Sequence, residues 1–282
     1  SGNKEAIKAL IEAGANANAV DKDGRTALHF ATMANNPEAI RELIDLGADF
    51  RAVDKDGRTI LHIAAINGNK YAIKAFIKLG IDFNAVDKDG RTALHFAALL
   101  ENVEAMEALI DFGADFKIVD KNGQTALHVA AQNNNTKVID VLIAQCANFY
   151  GFSFGLTRDV SAIKELFDRI DAGFVYKFGF FIKLLGNIPI IKLVYYQTYV
   201  NAKDKDGQTA LHIATRHGNK EAIETLIANG ANPEYVNKNG YTPLFVATIL
   251  GNKEVIEILI ANGANLEDVS KDGETPLFVA TM

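Results

Sequence analysis

A strict sequence repeat governs this chain. The stretch Asp21-Lys22-Asp23-Gly24-Arg25-Thr26-Ala27-Leu28-His29-Phe30-Ala31 returns nearly unchanged at 54–64 and 87–97. It recurs with small edits at 120–130 and 204–214, and more loosely at 237–247 and 270–280. The turn glycines Gly24, Gly57, Gly90 and Gly123 are evenly spaced, and Gly207, Gly240 and Gly273 keep the same interval. A fixed period of about 33 residues marks a solenoid, whose units bury their apolar faces only against neighbours. A chain of 282 residues built this way needs no single central core.

Each unit opens on Asp-Lys-Asp-Gly or a close variant, a tight turn in which Gly accepts positive φ without a Cβ penalty. Thr26 and its equivalents then stand where a helix N-cap is needed. Pro243 and Pro276 follow that Thr at a position suited to proline. The spacing predicts a short first helix over about Ala27 to Met33, with Leu28, Phe30 and Ala31 facing inward. A polar break follows, whose Asn can cap a second helix such as 38–46, with Ile40, Leu43 and Ile44 on one face. Gly14, Gly47, Gly80, Gly113, Gly230 and Gly263 end the second helices as C′ glycines.

Thr-Ala-Leu-His occurs at Thr26, Thr92, Thr125 and Thr209, and Thr-Ile-Leu-His at Thr59, each preceded by Asp-x-x-Gly. These residues resemble the ankyrin repeat over about four fifths of the chain. The resemblance implies an all-α solenoid of helix pairs joined by β-turn or hairpin connections, with about seven regular and two degenerate repeats. It also implies a concave face, lined by hairpins and first helices, that in this family usually binds other proteins. The family's contact positions fall on Arg25, Arg58, Arg91, Gln124, Gln208 and Tyr241 in the turns. On the first helices they fall on Met33, Ile66, Leu99, Gln132, Arg216 and Ile249. The first three units would then set an arginine row beside an apolar row, a groove for an acidic, apolar-anchored segment. The near-identity of the turns weighs against a groove fitted to one partner and toward assembly.

The period breaks once. From Gly123 to Gly207 the chain runs about two and a half periods without a turn of this kind. Cys146 occupies a C′ position that is glycine in the other units, so that helix should end differently. The chain therefore divides into regular repeats over 1–148, degenerate aromatic-rich repeats or an insert over 149–203, and regular repeats over 204–282. Of the two readings for the middle, degenerate repeats that keep the stack continuous are preferred. The run 178–196 is apolar and its neighbourhood carries lysines without acids. Lys183, Asn187, Pro189 and Lys192 interrupt it, so membrane contact is the weaker expectation there.

The two ends read as halves of one unit. The chain closes on a first helix without a second and opens on a second helix without a first. Written across the gap, TPLFVATM-SGNKEAIKALI keeps the register of TPLFVATILGNKEVIEILI from Thr242. Leu277, Phe278, Val279 and Met282 at one end, and Ile7, Leu10 and Ile11 at the other, should then be bare. One reading is an excerpt from a longer array, binding an unknown protein. The other is head-to-tail self-assembly, a heterologous contact that propagates as a filament unless it closes.

Other chemistry is argued down by spacing. His29, His62, His95, His128 and His212 recur one per unit, not at i, i+4 ligand spacing, so no metal site is expected. In ankyrin repeats this histidine is a structural hydrogen-bonding residue, and Phe245 and Phe278 replace it later. Asp-Lys-Asp-Gly lacks the third Asp and closing Glu of a calcium loop. No phosphate loop or nucleophile elbow is present, so neither a cofactor nor catalysis is expected. Charged residues make up 23% and the net charge is −6, with no basic, aromatic-interleaved stripe for nucleic acid. The single cysteine, Cys146, leaves the redox compartment open, and no signal-peptide pattern is present. The compartment is cytoplasmic by default, or extracellular for a filament.

Overall fold

The computed structural model of the chain describes residues 2–149 and 196–282. Among the described residues, a lone helix, α1 (Gly2–Glu12), is followed by six helix pairs, helical residues 196–200 between the fourth and fifth of them, and a final short helix. The pairs are α2 (Ala27–Met33) with α3 (Pro37–Asp45), α4 (Ile60–Ile66) with α5 (Lys70–Lys78), and α6 (Ala93–Leu99) with α7 (Val103–Asp111). Then come α8 (Ala126–Gln132) with α9 (Thr136–Phe149), α10 (Ala210–His217) with α11 (Lys220–Ala228), and α12 (Pro243–Ile249) with α13 (Lys253–Ala261). The last helix is α14 (Pro276–Ala280). The expected all-α solenoid of paired helices is what the chain forms.

Local chemistry explains the helix bounds. Thr26, Thr59, Thr92, Thr125, Thr209, Thr242 and Thr275 hold extended backbone at the N-caps of the first helices. Asn36, Asn69 and Asn252 cap the second helices, accepting from the N–H groups of Ala39, Ala72 and Val255. The predicted C′ glycines all adopt positive φ, where a side chain would be strained. The fourth unit has Cys146 there, and α9 does not stop: it runs on to Phe149 with Cys146 fully buried.

Packing follows the repeat. Leu28, Leu61, Leu94, Leu127, Leu211 and Leu244 are all buried at the same position of successive first helices. Each contributes roughly 2 kcal/mol of apolar burial. Ala31, Ala64, Ala97, Ala130, Ala214 and Ala247 are buried beside them. These small side chains let first helices approach each other more closely than second helices do. First helices thus form the more tightly packed side of the stack, the side expected to be concave.

One expectation is corrected. The periodicity points Phe30 inward with Leu28 and Ala31, but it is 46% exposed. Its equivalents Ile63, Phe96, Val129, Ile213 and Val246 are buried because a first helix lies on both sides of each. Beside α2 the preceding unit contributes only α1, a second helix. At the break, first helix α8 packs on first helix α10, and α9 on α11. Most of the stretch assigned to degenerate repeats, 150–195, lies outside the described residues. The chain is back in the stack at helical residues 196–200, where Tyr196 donates to the Asn229 carbonyl and Tyr199 meets Phe116 edge-on.

Candidate protein-interaction surface

The surface is built on a bond network inside each turn. The carboxylate of Asp21 accepts the backbone N–H groups of Asp23 and Arg25, both at 2.8 Å, and Asp54, Asp87, Asp120 and Asp204 repeat the pattern. Successive turns are tied by one backbone bond: the N–H groups of Lys55, Lys88 and Lys121 donate at 2.8 Å to Asp23, Asp56 and Asp89. Lys205 and Lys238 continue the row at 2.9 Å, to Asn122 and Asp206. A Cβ added at Gly24 would stand 3.0 Å from the Lys55 nitrogen, so glycine is needed there for both its φ of +77° and its clearance.

The histidines rivet one unit to the next. The backbone N–H of Thr59 donates to Nδ1 of His62, which makes Nδ1 an acceptor and places the ring proton on Nε2. Nε2 then donates to the Arg91 carbonyl of the following turn at 3.0 Å. His95 reaches Gln124, His128 reaches Gln208 and His212 reaches Tyr241 in the same way. Both ring nitrogens are consumed, which is a positive reason against metal ligation. At His29 the buried Nε2 faces the Arg58 carbonyl of the following turn, but among the described residues it makes no hydrogen bond of good geometry. Burial lowers the pKa of all five rings, against the opposing pull of nearby carbonyls and carboxylates, and that of His212 falls to about 4. Where Phe245 replaces histidine, its ring stacks on Tyr241 at 4.7 Å instead.

The arginine row is present but not free. Arg25 makes a bidentate pair with Asp21 (3.0 and 2.8 Å) and a further bond to Asp23 at 2.6 Å, and Arg91 does the same with Asp87 and Asp89. Arg58 pairs only with Asp56, at 3.2 Å. The N–H of Arg25, then its guanidinium, hold the Asp21 carboxyl below the usual carboxylate range. At Asp87 burial pushes upward, but the N–H and guanidinium of Arg91 outweigh it. The guanidinium groups of Arg58 and Arg91 both lie over the Phe96 ring, at 5.4 and 4.8 Å. These arginines staple their own turns, so the row presents less charge to a partner than the sequence suggests.

The apolar row stands open. Met33, Leu99 and Ile249 are exposed at the ends of their first helices and Ile66 is half-buried, while Gln132 and Arg216 take the fourth and fifth places. Tyr241 is half-buried against Phe245. At the chain's ends, Leu277 is 75% exposed, with Phe278, Met282 and Leu10 also exposed. Ile7 and Ile11, expected bare, instead pack partly against the core, with α1 lying on α3. Val279 is likewise half-buried.

The contact positions carried over from the resemblance leave out one further row. Val20, Val53, Val86 and Val119 are between 48% and 62% exposed, one per unit, immediately before the turn aspartate. Their sequence signal is an apolar residue held at fixed register beside a polar turn. Among the described residues, no group of His, Cys, Asp or Glu is placed to hold a metal ion, and no helix is long and apolar enough to cross a membrane. The run expected as the weaker, membrane-contacting candidate, 178–196, lies outside the described residues except for Tyr196.

A stack of capped helix pairs, riveted by histidines and presenting one open face, defines a repeat scaffold. The chain belongs to the ankyrin-repeat family: the family description "Ankyrin repeats" matches residues 1–87, 68–151, 180–270 and 229–282. Ankyrin repeats generally act as protein–protein interaction modules and are typically non-catalytic. A curated relative, "Ankyrin repeat-containing protein F37A4.4" of Caenorhabditis elegans, is 32% identical over 96 residues, or 33% of this chain and 8% of that protein. This chain therefore aligns with less than a tenth of that relative's length. The ankyrin repeat domain of Bcl-3, described as a unique member of the IkappaB protein family, shares the fold at a TM-score of 0.67 and 22% identity. That likeness covers 92% of this chain and 95% of the domain. The human ASB11 ankyrin repeat domain superposes at 0.64 with 20% identity, over 91% of this chain and 92% of that one.

Proposed function

We propose that the concave face binds a protein segment laid along the stack. One observation carries this reading: Met33 and Leu99 stand exposed, and Ile66 half-buried between them, at the same place on three successive units. Recognition is by apolar contact rather than by the arginines, whose charge the turn aspartates already satisfy. Ligands selected from a random-peptide phage library on the full chain test it. Met33→Asp with Leu99→Asp should weaken their binding by tenfold or more, and retention of binding by that variant would sink the reading.

A second reading is favoured by the exposed Leu277, Phe278 and Met282 at one end and Leu10 at the other. In it, α14 of one molecule pairs with α1 of the next to complete a unit, and the chain assembles head to tail. In a longer array, neighbouring repeats cover the same residues. Light scattering of this chain over a range of concentrations decides the matter. Growth that Phe278→Asp abolishes supports assembly, and a constant monomer mass removes it.

A further inference from the structure

Resting on the concave-face reading, we infer that the partner segment adopts a polyproline II conformation and carries an apolar residue at every third position with carboxylates beside it. The four valines supply the first argument. Val20, Val53, Val86 and Val119 are exposed at one fixed place per unit, and the same turn-to-turn backbone bond ties each unit to the next. Packed helices lie about 8–10 Å apart, which sets the step between successive valines. A polyproline II segment has three residues per turn and advances about 9 Å per turn. Its every third side chain therefore falls on one face at the step of this row. A β-strand covers the same distance in three residues but turns alternate side chains away.

The backbone supplies the second argument. Among the described residues, the N–H groups of Val20, Val53, Val86 and Val119 make no hydrogen bond within the chain. A polyproline II segment has no internal hydrogen bonds, so its carbonyls are free to accept from such donors. An α-helix can match the step with a seven-residue repeat, but its interior carbonyls are already used. Charge supplies the third. Lys22, Lys55, Lys88 and Lys121 lie two residues beyond each valine and are exposed. Among the described residues they form no ion pair; in the first three units the arginines take turn aspartates instead. The row is interrupted at the fifth unit, where Lys203 replaces valine, donates to the Val236 carbonyl at 2.8 Å and lies over the Tyr235 ring; it resumes at the exposed Val236 and Val269.

The probe is a fluorescein-labelled (Val-Pro-Glu)4 peptide titrated with the full chain and read by anisotropy. The controls are (Ser-Pro-Glu)4 and the same-composition isomer (Val-Val-Pro-Pro-Glu-Glu)2. The period-three peptide should bind about tenfold or more tightly than either control, and its binding should weaken with added salt. Val53→Asp with Val86→Asp should cost about tenfold, with circular dichroism confirming the fold and Val→Ser at the same sites serving if the aspartates disturb it. Equal affinity for the three peptides overturns the proposal, as does no binding of the period-three peptide or indifference to the valine variants. Tight binding of the serine peptide would mean simple polyanion capture and also overturns it. If Met33→Asp with Leu99→Asp abolishes binding of library ligands while the valine variants do not, this inference alone falls. If neither pair matters, the concave-face reading falls with it.

Discussion

Two junctions of the stack invite comparison: the one between the second and third units, and the one between the fourth and fifth. At the first, the turn glycines Gly57 and Gly90 stand one period apart. At the second, about two and a half periods of chain separate Gly123 from Gly207. The contacts are nonetheless the same set. His62 reaches the Arg91 carbonyl and His128 the Gln208 carbonyl. Lys88 donates to Asp56 and Lys205 to Asn122. Asn102 donates to the carbonyls of Ala65 and Ile66, and Asn219 to those of Ala131 and Gln132. Stacking is thus specified by what each unit presents to its neighbour, and not by how much chain lies between them. That is the behaviour expected when stability sums over nearest-neighbour interfaces.

Acid should break both junctions alike and most severely. Each histidine has its pKa lowered on folding, so the unfolded chain binds more protons as pH falls below about 6.5. The stabilisation is fully present above that pH and is lost as pH falls toward the folded values, near 4 for His212. For His212 alone the loss is about 3 kcal/mol, and the other four add to it. Denaturant midpoints measured from pH 7 to pH 4 should fall steeply, and His128→Phe, which copies the natural choice at Phe245, should flatten the slope. A pH-independent midpoint would show that the rings stay neutral in both states.

Core truncation comes next. Leu61→Ala and Leu127→Ala, at equivalent buried positions, should each cost roughly 2–5 kcal/mol by urea unfolding. A much smaller cost for Leu127 would mean that the interrupted junction is the looser one. Asn102→Ala and Asn219→Ala should each cost about 1–3 kcal/mol, since each removes the side-chain donor that ties two helix-end carbonyls of the preceding unit. Smallest of all is the effect of the intervening chain. Replacing 150–195 by a Gly/Ser linker of about 12 residues should shift stability by only about 1 kcal/mol, because loop-closure entropy changes slowly with length. Loss of cooperative unfolding in that variant would show that the fourth-to-fifth contact needs the removed residues.

Much of this architecture is legible in the residues. The N-cap threonines, the capping asparagines and the C′ glycines each announce a backbone conformation locally, and the structure has all three where the sequence puts them. The continuation of α9 through Cys146 is legible for the same reason, as a missing left-handed residue. Phe30 is misplaced by periodicity because inward position in a solenoid depends on having a neighbour on both sides, which a periodicity argument assumes. The arginine row looks like free charge in the sequence because its aspartate partners two and four residues back also serve turn formation. The exposed valines escape a reading by resemblance because the contact positions come from the family and not from this chain's own exposure.

The sequence by itself determined the unit: its turn, its two helices, their caps and the period at which they repeat. These depend on hydrogen bonds and dihedral preferences within a few residues, which one stretch of chain contains entirely. Only the tertiary structure decided which unit stacks on which, and which carbonyl each histidine reaches in the following turn. Those depend on groups 29 to 88 residues apart in the chain. Their approach is set by apolar burial between units, a force with no preference for sequence separation.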